Sequence, residues 1–223
     1  MKGFEAMKPP LTIDTLCREA GLFAQQESGH AEPHLYGVTD GKAIGTYLEH
    51  KFQAYLHGRY EYREGSSAKG IDFPELDVDM KVTRITQPQS SCPFRSARQK
   101  IYGLGYGLLI FVYDKIDDAK LRTGRLQIVH TTFVDKARTD DYQTTSGLLK
   151  LLQNQANEDD IVAFLQERYL PVDEIQAYEL AREIMVSPPA LGYLTISNAL
   201  QWRLQYRRVI EQAGQVEGIR KIQ

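Results

Sequence analysis

Residues 76–83, LDVDMKVT, interleave acids and a lysine with apolar residues. In an extended chain successive side chains point to opposite faces. Asp77, Asp79 and Lys81 therefore share one side, and Leu76, Val78, Met80 and Val82 the other. Two carboxylates and an ammonium on a sheet face are costly to bury without a purpose. A divalent cation would supply one. Mg²⁺ prefers carboxylate oxygens and water, and usually takes only one or two protein carboxylates. A water on such a cation is acidified into a nucleophile, while the cation stabilises charge on a phosphate. A lysine beside it can orient that water and stabilise the developing oxyanion. Asp72 can supply a second carboxylate from the bend before the strand. Pro74 suits that bend, because it need not donate to a ladder there. Glu49, on a preceding helix, would complete the acidic cluster. The plainer alternative is a solvated charged face on an edge strand, with Asp77 a bystander and Glu49 a surface acid.

The elements that would hold these residues follow from apolar periodicity. Residues 11–26 read as a helix, with Leu11, Leu16, Ala20 and Leu22 on a rough stripe. Residues 28–41 read as a polar loop. A second helix over 44–60 repeats Tyr47, Leu48, Phe52, Tyr55 and Leu56, and carries Glu49. A loop over 61–70 leads to the strand at 76–83. A further loop, with Pro88 and Pro93, leads to a short helix over 94–102. The runs GLLIFVY (107–113) and LQIVHTTFV (126–134) read as buried strands. Asn157 with Asp160 caps a helix over 158–168, and Ala177–Val186 reads as another. Ser197 caps a last helix over 198–213, ended by Gly214. Trp202, Tyr206 and Val209 lie on its apolar stripe, with Arg203, Arg207 and Arg208 around it. Paired with the 177–186 helix, it suggests a unit like a helix-turn-helix.

The segment GIDFPELDVDMKVT resembles the PD-(D/E)xK nuclease motif, with Asp72, Asp79 and Lys81 as its defining residues. The likeness is closest to the branch containing the mismatch-repair nicking endonuclease MutH. That branch joins an Asp-Phe-Pro bend (here Asp72-Phe73-Pro74) to a short hydrophobic step and an acidic-x-Lys strand. It also places a glutamate on an earlier helix, the position of Glu49, and a basic helix afterwards, the position of Arg95, Arg98 and Lys100. The resemblance spans roughly residues 40–115. It implies Mg²⁺-dependent hydrolysis of DNA phosphodiesters, leaving a 5′-phosphate. Asp72 and Asp79 would hold the metal, Lys81 would position or activate the attacking water, and Glu49 would contribute from its helix. Arg95, Arg98, Lys100, Arg203, Arg207 and Arg208 are the expected DNA contacts, with a solvated helix face as the bland alternative.

Composition bounds the rest. The 223 residues are 42% hydrophobic, 10% aromatic and 25% charged, ordinary globular values that exclude disordered and fibrous classes. A net charge of -2 excludes a histone-like blanket binder and leaves room for a local basic surface. Cys17 and Cys92 form no metal knuckle or disulfide framework, which suits a reducing cytosol. His30 and His34 flank Pro33 in a loop, not an i, i+4 helical pair. Gly103, Gly105 and Gly107 precede a strand where a dinucleotide fingerprint would follow one.

The expected architecture is α/β: a restriction-endonuclease-like mixed sheet flanked by helices over 1–140, then a helical C-terminal part over 141–223 serving as a DNA-docking region. The expected function is a type II restriction endonuclease in the cytoplasm. Its expected cofactor is Mg²⁺, with no small-molecule cofactor and no membrane partner. Its expected partner is double-stranded DNA, with a homodimer left open. The alternatives are a repair or nicking endonuclease, and a non-catalytic binder using the C-terminal basic helix. A small-ester Mg²⁺ phosphohydrolase is a third.

Overall fold

The computed structural model describes residues 8–65, 70–92, 95–197 and 202–223. In chain order the helices are α1 (Ile13–Ser28), α2 (Gly41–His57), α3 (Gln99–Tyr102), α4 (Tyr142–Gln153), α5 (Glu158–Glu167), α6 (Glu174–Val186) and α7 (Arg207–Gln212). The strands are β1 (Val78–Arg84), β2 (Gln89–Cys92), β3 (Gly107–Asp118), β4 (Thr123–Val134), β5 (Thr195–Ile196), β6 (Trp202–Gln205) and β7 (Ile219–Lys221). This is the expected α/β class, with a mixed sheet flanked by helices. No helix among the described residues is long and apolar enough to cross a membrane.

Two compact units divide the chain, and both are discontinuous. The first comprises residues up to Gln87, Leu109–Phe133 and Lys221–Gln223; the second comprises Pro88–Leu108 and Val134–Arg220.

The first unit is organised by α1 and α2. Thr12 caps α1 through a reciprocal capping box with Thr15. Asp40 caps α2 by accepting from the backbone N–H groups of Lys42 and Ala43. Ile44, Leu48, Phe52 and Leu56 recur every fourth residue along α2, and all are buried. Phe52 is the hub of the core. Its ring lies 5.0 Å from Phe23 on α1, 5.3 Å from Phe111 on β3 and 6.5 Å from Phe73. The main sheet has the order β1-β3-β4-β7. Residues 119–122 join β3 to β4, and so short a link makes that pair antiparallel.

The second unit packs α4, α5 and α6 around Leu148, Ile161, Leu165, Ala181 and Ile184. The capping box expected at Asn157 and Asp160 starts α5. A separate three-stranded sheet has the order β2-β6-β5, with both pairings antiparallel.

Three local expectations change. The strand expected over 76–83 begins at Val78. Asp77 lies outside it in a left-handed turn (φ 52°) and is exposed, so it does not share the Asp79 face. The helix expected over 94–102 is confined to Gln99–Tyr102, and residues 93–94 lie outside the described residues. The helix expected over 198–213 is replaced by β6 followed by the short α7, with residues 198–201 outside the described residues. Trp202, Leu204 and Tyr206 are buried while Arg203 and Gln205 are exposed, the period-two signature of a strand. Among the described residues, no helix-turn-helix pair follows α6.

Candidate active site

The Asp72-Phe73-Pro74 bend is anchored before it is functional. Phe73 is buried against Phe52, and it exchanges backbone hydrogen bonds with Val78 across the turn (2.9 and 3.2 Å). The turn returns the chain beside itself only because Asp77 accepts a left-handed backbone, which aspartate tolerates better than most residues. Asp72 is thereby brought alongside β1. Its Oδ2 accepts a hydrogen bond from the Met80 backbone N–H at 2.8 Å.

Asp79 is only 4% exposed. Lys81 Nζ lies 2.6 Å from its Oδ2. Burial pushes the Asp79 carboxyl well above the ordinary carboxylate range; the Lys81 charge opposes this, and a hydrogen bond with the Asp72 carboxyl adds to it. A second carboxyl in contact disfavours the charged form of Asp79. Glu49 reaches the same place from α2, which packs against β1. Its carboxyl is also pushed up, chiefly by burial; the Lys81 charge opposes this and Asp79 reinforces it. The structure thus brings together all four residues expected to do chemistry.

Three acids share one lysine here, an excess of negative charge that a divalent cation would relieve. Asp72 and Asp79 present hard oxygen donors in contact, the donor type Mg²⁺ prefers. Among the described residues no three His, Cys, Asp or Glu side chains converge as a complete metal cage. The donor set therefore fits a cation that keeps most of its ligands as water or substrate oxygen. Other buried acids of this unit are committed to structure. Glu19 accepts from Tyr55 and Tyr60, and Glu27 pairs with Lys51 and Tyr47. His30 lies 3.3 Å from Glu32, whose carboxylate caps the short turn Pro33–Leu35, so the loop reading of that segment holds.

The six expected DNA-contacting cations all lie in the second unit, in different settings. Arg95 and Arg203 are exposed. Arg98 forms a two-pronged pair with Glu183 of α6 and lies over the Tyr102 ring, 4.6 Å from its centroid. Lys100 is 3% exposed and sits 5.7 Å from the Trp202 ring. Burial lowers its ammonium pKa, with the Asp141 charge opposing. It is a core cation, not the surface clamp its place in a basic run suggested. Arg207 is exposed and pairs with Glu211 one helical turn on. Arg208 stacks on Tyr142 at 3.6 Å, and its Nε has no hydrogen-bond partner among the described residues. β2 has no signal in the sequence, because its four residues are too few to show a period. The segment 202–206 does have one, the two-residue alternation of Trp202, Leu204 and Tyr206 with Arg203 and Gln205.

Buried acids gathered beside a lysine form the kind of cluster that functional sites use. Comparison with known proteins gives the class. Residues 10–221 match the family model of the type II restriction enzyme NspV. The chain is 62% identical over 209 residues to the type II restriction enzyme NspV of Nostoc sp. (strain ATCC 29411 / PCC 7524), covering 94% of this chain and 95% of that protein. The chain belongs to the NspV family of type II restriction enzymes, which are site-specific deoxyribonucleases. No solved structure matches it.

Proposed function

We propose that the chain cuts duplex DNA by a Mg²⁺-dependent PD-(D/E)xK mechanism of the MutH-like branch. The observation that carries this reading is the convergence of Asp72, Asp79 and Lys81, with Asp72 tied to the Met80 N–H and Lys81 to Asp79. Asp72 and Asp79 would hold the metal. When bound, Mg²⁺ supplies a polarised water and neutralises charge on the scissile phosphate.

The residues of the chain do the rest. The Met80 N–H keeps the Asp72 carboxylate turned toward Asp79. Burial makes the strand a poor place for unbalanced charge, so the acids are held ready for a cation. Lys81 donates to Asp79 in the free protein. It can redirect that donation to the attacking water or to a phosphate oxygen as negative charge develops there. Glu49, in the electrostatic reach of both Lys81 and Asp79, can accept a proton from the water. Water attack in line with the leaving 3′-oxygen leaves a 5′-phosphate. The exposed arginines Arg95 and Arg207 are the phosphate contacts best placed by exposure. A division of labour between a 1–140 nuclease core and a 141–223 docking part, action as a homodimer, and work in the cytoplasm belong to the same reading.

The test is plasmid cleavage in Mg²⁺, run beside EDTA, Asp79→Ala and Lys81→Ala. Discrete double-strand fragments that vanish in all three controls are expected. Cleavage that survives Asp79→Ala would refute the site. Nicked circles without linear product would favour the repair-type activity instead.

A further inference from the structure

We propose that the exposed face of the three-stranded sheet β2-β6-β5 is the base-reading surface, with Gln205 and Arg203 as specificity-determining residues. The inference rests on the chain acting on duplex DNA and goes further by naming what reads the sequence.

Strand register defines the face. Gln205 lies opposite Gln89 on one side and Thr195 on the other. Arg203 lies opposite Ser91, and it exchanges hydrogen bonds with Ser197: its N–H donates to Ser197 Oγ, and its carbonyl accepts from the Ser197 N–H. Directly opposed residues of antiparallel strands share a face. Gln89, Gln205, Thr195, Ser91, Arg203 and Ser197 therefore form one polar grid, all exposed or half-buried. Cys92, Ile196, Trp202 and Leu204 lie buried on the other face. The sheet is pinned by its apolar side, and a hydrogen bond between the Ser90 and Tyr206 hydroxyls adds a tether.

The chemistry of the grid points to nucleic-acid bases. Not one of the six residues is acidic, in a chain with 29 acidic residues. Arg203 has no ion-pair partner among the described residues, whereas Arg98 and Arg207 are both paired. Its charge is left for an anionic partner. No apolar side chain stands on the grid, which argues against a protein partner that would bury hydrophobic area. Glutamine presents a donor and an acceptor side by side, the complement of adenine in the major groove, and arginine forks onto guanine. The major groove admits a β-ribbon. Residues two apart on a strand are about 6.7 Å apart, close to two base-pair steps of about 3.4 Å each. Arg203 and Gln205 are thus spaced to read bases two steps apart along the groove.

The test uses the full chain. The recognition site is first taken from the sequenced ends of plasmid fragments cut by the wild type. Cleavage in Mg²⁺ is then measured on a panel of duplexes, each with one base pair of that site replaced. Gln205→Ala and Arg203→Ala should each slow cleavage of the intact site about ten- to a hundredfold and lose discrimination at one base pair. The two relaxed positions should lie two steps apart. Ser91→Asp, which puts a carboxylate opposite Arg203, should weaken binding to any duplex in a salt-dependent way. Trp202 fluorescence checks that each variant keeps its fold. Folded variants that retain wild-type preference at every position would overturn the proposal, as would unchanged affinity in Ser91→Asp. A wild type that cuts no DNA would instead sink the nuclease reading on which the proposal rests.

Discussion

Asp140 offers a quantitative test of how this fold handles buried charge away from the site. It is 2% exposed, and its Oδ1 has no hydrogen-bond partner among the described residues. A Cβ placed on Gly103 would lie 2.6 Å from that oxygen, so glycine (φ 80°) is what lets the carboxyl fit. Burial pushes the carboxyl up to about 7, against the lesser opposing effects of its own backbone N–H and the Arg138 charge. A carboxyl raised on folding binds its proton more tightly in the folded state than in the unfolded chain. The folded protein is therefore penalised as pH rises. The penalty is absent below about pH 4, where both states are protonated, grows through the window from about 4 to 7, and is complete above it. With about 1.4 kcal/mol per pH unit, it comes to about 1.5 kcal/mol at pH 5 and about 4 kcal/mol at pH 8, as an upper bound.

Asp140→Asn removes the titration and keeps the shape. The variant should gain stability over the wild type by an amount that increases by about 2 to 3 kcal/mol between pH 5 and pH 8. Urea unfolding followed through the single tryptophan is the assay. Trp202 is buried in the same unit as Asp140, so it reports the unfolding that matters. Plasmid cleavage at pH 8 should be retained. A stability difference that stays the same at both pH values would refute the reasoning, because Asp140 would then ionise alike in the folded and unfolded chains.

Other expectations follow from single side chains. Glu49→Gln should cut the cleavage rate in Mg²⁺ about ten- to a hundredfold, the scale of an assisting proton acceptor, without lowering urea stability. A wild-type rate would remove Glu49 from the site. Gly147→Ala, in mid-helix, should destabilise despite the better helix propensity of alanine. Its Cβ would meet the Phe164 ring at 2.3 Å, and overpacking costs about 1–3 kcal/mol. A urea midpoint at or above the wild-type value would contradict this. Asn157→Ala should cost about 1 kcal/mol, because its side chain accepts from the Asp160 N–H at 3.0 Å and α5 would lose that cap. Equal stability in thermal or urea unfolding would show the cap to be redundant.

Wherever the information was local, the sequence by itself was sufficient. Asp72, Asp79 and Lys81 lie within ten residues of one another, and one bend and one strand align them, so their partnership was legible before any fold was known. The α2 stripe, the Asn157–Asp160 box and the buried runs of β3 and β4 were legible for the same reason: their periods and caps are short-range. Distant partners decided the rest. Trp202, Tyr206 and Val209 fit a helical stripe as well as Trp202, Leu204 and Tyr206 fit a strand. Pairing with Gln89–Cys92, over a hundred residues earlier, settles the choice, because backbone groups must find partners and β2 supplies them. Lys100 looked like a surface cation because it follows two arginines, but Trp202 and Asp141 enclose it from other parts of the second unit. Asp77 looked equivalent to Asp79 under strict alternation. The two hydrogen bonds between Phe73 and Val78 close a turn that places Asp77 outside the strand and leaves Asp79 buried beside Lys81. Burial and the pKa shifts that follow from it depend on what packs over a residue, and only the tertiary structure sets that.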